Sequence, residues 1–166
     1  MKLNSIAAIV LTGAGATALT DLWSIVRQRL FGVAPPNFLL VGRWVAHLAH
    51  GRLHHDSIAA SPAARNEHAL GWASHYLIGM GFACILPALR GTEWFCNPTP
   101  GPALLVGIAT VAAPLLVMQP AMGAGFFASR TARPASARIQ SLLMHAVFGL
   151  GLYLAATLVS HFLPGE

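Results

Sequence analysis

Between Ala103 and Ser129, and again between Ile139 and Pro164, the chain carries no Lys, Arg, Asp or Glu. A soluble helix cannot be built that way, because its outward stripe needs polar side chains. With the apolar blocks near either end of the first half, four such segments stand out, at about 3–26, 70–89, 102–127 and 139–163. Each holds the roughly 20 residues with which a helix crosses the hydrocarbon of a bilayer. Composition agrees: 55% of residues are hydrophobic and 9% charged, where an ordinary soluble domain has roughly a quarter charged. The sequence therefore predicts an all-α fold, an integral membrane four-helix bundle forming a single transmembrane domain, with the lipid bilayer as its first partner.

The N-terminal stretch admits a competing reading. Gly13-x-Gly15-x-x-Ala18 after an apolar run resembles the turn that cradles a dinucleotide pyrophosphate. That fold needs an acidic residue about 20 positions further on for the ribose, and no Asp or Glu lies between Asp21 and Asp56. As a membrane helix, the same residues place Gly13, Ala14 and Thr17 one above another, a face that admits a close neighbour. Met1-Lys2, the run Ile6 to Leu11 and Ala14-x-Ala16 also fit a cleaved leader, but the apolar pattern continues through Leu22, Trp23, Ile25 and Val26 as an uncleaved helix would.

Charge sets an expected orientation. Arg27, Arg29, Arg43, Arg52 and Arg65 flank or occupy the first connection, Arg130, Arg133 and Arg138 the third, while Lys2 and Arg90 fall on the other side. The positive-inside rule then puts the first and third loops in the cytoplasm and both termini outside. This accounts for a pI near 10.3 without nucleic acid, for which no basic run interleaved with aromatics is present. Cys84 in the second span and Cys96 in the following loop are poorly placed to form a disulfide. Trp23, Trp72 and Trp94 suit interfacial aromatic belts.

The first connection is too long for a simple turn. After Pro35-Pro36, Asn37 is placed to cap a helix running to about His50, with Gly51 as its stop. Phe38, Val41, Val45 and Leu48 recur on one stripe and Arg43, His47, His50 and His54 on the other, which predicts an amphipathic helix in the interface with its basic side in the headgroups. The His47-x-x-His50-x-x-x-His54-His55-Asp56 run also matches the spacing of metal-binding imidazoles, although interfacial histidines beside arginines are more often solvated.

Inside the spans, polar side chains meet at one depth. From the nearest inner-end charges, the helical rise puts Asp21 about 9 Å deep, His75 and His145 about 10–12 Å, and Gln119 about 16 Å. Each has small neighbours on its own face: Gly13, Thr17 and Ser24 for Asp21, Gly71 and Gly79 for His75, Ser141 and Gly149 for His145, and Gly123 for Gln119. Pro114 and Pro120 bracket Gln119 and free backbone carbonyls there. An ionisable group at this depth faces a partner or a wet cavity. Three readings follow: a structural network, a proton or ion relay with Asp21 as counter-ion to histidine, and a divalent-metal site with His75, His145 and Asp21 as ligands.

The segments GATALTDLW, VGRWVAHLAHG, NEHALGWASHYLIG, APLLVMQPAMGAGFFAS and RIQSLLMHAVFGLGLYL together resemble a bacterial family of small four-span inner-membrane proteins catalogued as a domain of unknown function. The resemblance implies a multi-pass protein of the bacterial inner (plasma) membrane and carries over no activity. Its motif positions include Asp21, Arg43, His75, Gln119 and His145. The leading functional expectation is a small carrier or ion- or proton-coupling component; the alternatives are a membrane-embedded metalloenzyme and an assembly or accessory protein. Enzyme activity is thus left open, leaning against. Small-residue faces such as Gly149-x-Gly151 offer a contact for a homo-oligomer.

Overall fold

A computed structural model describes residues 3–162. Lys2, which enters the charge count, and Leu163, which ends the fourth expected span, lie outside them. The elements are α1 (Leu3–Phe31), α2 (Phe38–Leu48), α3 (Glu67–Ala83), α4 (Ile85–Arg90), α5 (Pro100–Ala109), a π-helical segment Ala113–Met118, a short α6 (Gln119–Ala121) and α7 (Pro134–Phe162). The regular structure of the described residues is all helical. Among the described residues, four stretches are long and apolar enough to cross a membrane: Ser5–Phe31, Glu67–Arg90, Pro100–Ala121 and Pro134–Phe162. Only 22–39% of their apolar windows is buried within the chain, so most of that apolar surface points outward, which suits hydrocarbon and not water. The chain is a multi-pass membrane protein.

Proline and glycine set the breaks. Pro87 cannot donate to the carbonyl of Ala83, and the helix is interrupted at Cys84 between α3 and α4. Pro114 likewise removes the bond to Thr110, and the chain widens into the π-helical turn at Ala113–Met118. The third span stops at Ala121, short of the expected 127, because Gly123 (φ 94°) and Gly125 (φ 75°) turn the chain before a 3-10 turn at Phe126–Ala128. The first helix, by contrast, continues past the expected 26 to Phe31, since nothing from Arg27 to Phe31 breaks it.

The residues form two compact units. Of the described residues, the first comprises 3–35, 76–110 and 144–162 and so takes a piece of every span. Its helices cross at glycines: Gly13 on α1 lies against the backbone of Gly79 and Met80, Gly151 on α7 against Ala16, and Gly107 on α5 against Gly149. The Gly13–Thr17 face therefore receives a neighbour as expected. Gly149 and Gly151, expected to offer a contact between copies, each meet a helix of their own chain. Around these crossings pack Ala103, Val106, Phe148, Leu152 and Ala156. Trp94 joins this core at 5% exposure and donates its indole N–H to Thr99 at 3.3 Å, rather than lying exposed in an interfacial belt. Cys84 and Cys96 are free thiols, both exposed.

The second unit comprises 36–75 and 111–143. Here α2 crosses the start of α3 so closely that Gly42 meets the Glu67 carbonyl and Gly71 meets that of Phe38. The loop beyond α2 is tied to the end of the third span: His55 N–H donates to the Ala121 carbonyl at 2.8 Å and Ile58 N–H to that of Met122 at 3.0 Å. Gly123 fits beneath the carbonyls of His55 and Asp56.

Adding a methyl at either kind of crossing forces backbones apart. Gly42→Ala and Gly107→Ala are each expected to cost about 1–3 kcal/mol by overpacking. Gly81→Ala, where nothing lies within 4 Å, is expected to be neutral or to stabilise by up to about 1 kcal/mol through helix propensity. Equilibrium unfolding in detergent would check the ranking, and equal stability of all three variants would contradict it.

Candidate functional site

Two of the intramembrane residues lie in the first unit, each held by a hydroxyl from another helix. Tyr76 O–H on α3 donates to Oδ2 of Asp21 on α1 at 2.9 Å. His145 on α7 approaches Thr110, just past α5, with Nδ1 3.0 Å from the threonine Oγ1 and 3.2 Å from the Gly107 carbonyl. The hydroxyl of Thr110 gives its own proton to Gly107 O at 2.7 Å. Its oxygen therefore accepts from His145, which fixes the proton of the neutral imidazole on Nδ1 and leaves Nε2 as the lone-pair position. One turn along α1 from Asp21, Ser24 O–H points at the Met144 sulfur at 3.8 Å.

The other two lie in the second unit. His75 stacks on Phe38 with ring centroids 4.1 Å apart and meets the edge of Trp72 at 6.0 Å. Gln119 follows the π-helical turn, and its side-chain Oε1 is buried without a hydrogen-bond partner. Among the described residues no group of three or more His, Cys, Asp or Glu is placed to hold a metal ion. Of the expected metal ligands, Asp21 and His145 belong to the first unit and His75 to the second.

The basic stripe of α2 departs from expectation. Arg43 was expected among headgroups, but its side chain is only 12% exposed and forks onto Glu67, with Nε 2.8 Å and Nη2 2.9 Å from the two carboxylate oxygens. Its Nη1 reaches the carbonyls of Ile58, Ala59 and Ser61 at 3.0–3.4 Å. Glu67 also accepts from the Ala64 N–H at 2.9 Å. Every guanidinium nitrogen is thereby used inside the unit, and the loop is folded around it. His47 also turns inward, its Nδ1 2.8 Å from Nε2 of His55. His50 and His54 remain exposed. Asn37 occupies the start of α2 but makes no side-chain cap.

Sequence reasoning missed Tyr76, Thr110 and the burial of His55, which is 1% exposed. Thr110 interrupts an otherwise apolar helix, and that was the available signal. Nothing local marked Tyr76, and the histidine run that contains His55 did not show its burial.

A family model described as Protein of unknown function (DUF2938) matches residues 10–159. The chain belongs to this family. The DUF2938 match takes in Asp21, Arg43, Glu67, Tyr76, Thr110, Gln119 and His145, so both units contribute to it. No curated protein and no solved structure matches the chain.

Burial holds His55 below the usual imidazole value of 6.5, and the Arg52 charge adds to this. A histidine that folds with a lowered value is stabilising in its neutral form above the unfolded value, and that contribution is lost as pH falls from about 6.5 through the folded value. Nitrogen NMR should place the His55 titration below the usual imidazole value of 6.5, and a titration above it would contradict the buried pair. Arg43→Lys loses the fork and is expected to lower the melting temperature far more than His50→Ala at its exposed position.

Proposed function

We propose that this protein is a small proton- or ion-coupling component, or carrier, of the bacterial inner membrane, with both termini outside and the arginine-rich first and third loops in the cytoplasm. The observation that carries the reading is a pair of ionisable groups inside apolar spans, Asp21 and His145, each positioned by a hydroxyl on a neighbouring helix. Such groups are expensive in hydrocarbon and serve transfer paths when they are kept.

The hydrogen-bond directions suit a proton cycle. Asp21 accepts from Tyr76 through one of two carboxylate oxygens, each of which is an acceptor. His145 already donates from Nδ1, so a proton arriving at Nε2 makes an imidazolium without disturbing that side. Thr110 Oγ1 and the Gly107 carbonyl, both acceptors toward Nδ1–H, then stabilise the positive charge. Loss of the Nε2 proton restores the starting state. No atom of the supporting shell has to move.

An assembly or accessory role is favoured by one observation, the placement of His145 beside the Gly107–Gly149 crossing, where the same bonds would simply fix the fold.

Proteoliposomes separate the two. Asp21→Asn, which keeps an acceptor oxygen for Tyr76, is expected to reduce a pH-driven flux by on the order of tenfold or more, equivalent to about 1.4 kcal/mol in barrier, with little change in melting. His145→Ala is expected to cost about 1–2 kcal/mol of stability under either role. Wild-type flux in Asp21→Asn would remove the coupling reading and leave the structural one.

A further inference from the structure

The first loop holds a concave site that the coupling reading does not use. A shallow, open hollow of about 200 Å³ is lined by His47, His50, Arg52 and Pro62, with no acidic residue among the four. Gly51, at φ 75°, turns the chain so that the N–H groups of His50 and Arg52 both return to the His47 carbonyl at 3.0 Å. Three cationic or N–H-bearing side chains are thus gathered on one turn. Nearby Glu67 is already engaged by Arg43, and Asp56 is exposed to solvent beyond the buried His55.

The buried histidine determines what His47 offers to that cavity. The two rings stack with centroids 5.0 Å apart, and Nδ1 of His47 faces Nε2 of His55 at 2.8 Å. Only one proton fits between two nitrogens. Were it on His47, the neutral His55 would carry its own proton on Nδ1, which is buried without a hydrogen-bond partner. With the shared proton on His55, that Nδ1 is a bare lone pair, and an orphan acceptor is better tolerated than an orphan donor. His47 then accepts at Nδ1 and carries its proton on Nε2. The ring lining the cavity is thereby set as a donor while still neutral.

We propose that this pocket binds a phosphate-class oxyanion through the Arg52 guanidinium and the imidazoles of His47 and His50, with His55 as the positioning residue that sets the His47 tautomer. A divalent cation is disfavoured there by the Arg52 charge, and among the described residues no metal-holding group of three is present. Arginine and fixed N–H donors are the groups that recognise phosphoryl oxygens. The oxyanion has two sources, free phosphate and the headgroup of a phospholipid.

The full-length protein in phosphatidylcholine nanodiscs would be titrated with inorganic phosphate by calorimetry. Native mass spectrometry would score retention of phosphatidic acid against phosphatidylcholine. Saturable phosphate binding identifies the free anion, and selective retention of phosphatidic acid alone identifies the lipid headgroup; each supports the site. Arg52→Gln and His50→Gln, both at exposed positions, are expected to weaken binding on the order of tenfold each, and Arg52→Lys to retain most of it. His55→Asn is expected to lower affinity and to shift the His47 nitrogen resonances away from the Nε2–H tautomer; if it fails to fold, the two exposed variants carry the test. Absence of saturable binding in both assays, or wild-type affinity in Arg52→Gln, overturns the proposal. So does stoichiometric zinc that is lost in His50→Gln without any anion binding.

Discussion

Helices surrounded by lipid gain little by burying apolar surface against one another, since the tails are as apolar as the side chains. They must instead gain by close contact, and closeness requires that side chains be absent where the axes cross. This constraint organises the first unit. Gly13 against Gly79, Gly107 against Gly149 and Gly151 against Ala16 bring backbones together, and the proximity in turn lets short side chains such as Thr110 and Ser24 reach across. The polar pairs of Asp21 and His145 thus depend on the crossings. A bulkier residue at a crossing would separate the partners before it touched them.

The second unit solves a different problem. Its loop from Ala49 to Asn66 has no regular ladder to satisfy its backbone, yet it is folded. Arg43 supplies the missing donors to the carbonyls of Ile58, Ala59 and Ser61, Trp44 donates to that of Leu53, and the turn after Ala121 supplies acceptors to the amides of His55 and Ile58. The fork onto Glu67 keeps the guanidinium aimed while it does this. Buried peptide groups seek partners wherever the chain can provide them. Here a long cation provides several at once.

What the sequence revealed, and what it hid, follows from the range of each interaction. The spans were legible because the absence of charge is a property of neighbours along the chain. Asp21 and His145 stood out for the same reason, as ionisable residues in apolar surroundings. Tyr76 did not, because an aromatic after His75 reads as part of an apolar face and its partner lies 55 positions away. Thr110 bonds its own helix at Gly107, which is what an unremarked threonine does, and only the arrival of α7 makes it a partner for His145. The α2 stripe was read with the right period and the wrong surroundings: Arg43 and His47 were assigned to the headgroups because their partners Glu67 and His55 lie further along the chain. The ends of the third span shifted because Gly123 and Gly125 adopt a backbone that composition alone does not distinguish from a flexible helical glycine.

The two thiols lend the protein a built-in depth gauge. Cys84 is exposed within the second apolar stretch, where exposure means lipid, whereas Cys96 is exposed after the turn Thr92–Phe95 between the second and third spans. Maleimides attack the thiolate, which apolar surroundings disfavour, so Cys84 is expected to resist labelling while Cys96 reacts from whichever side it faces, and the unmodified chain distinguishes a lipid-facing thiol from a water-facing one.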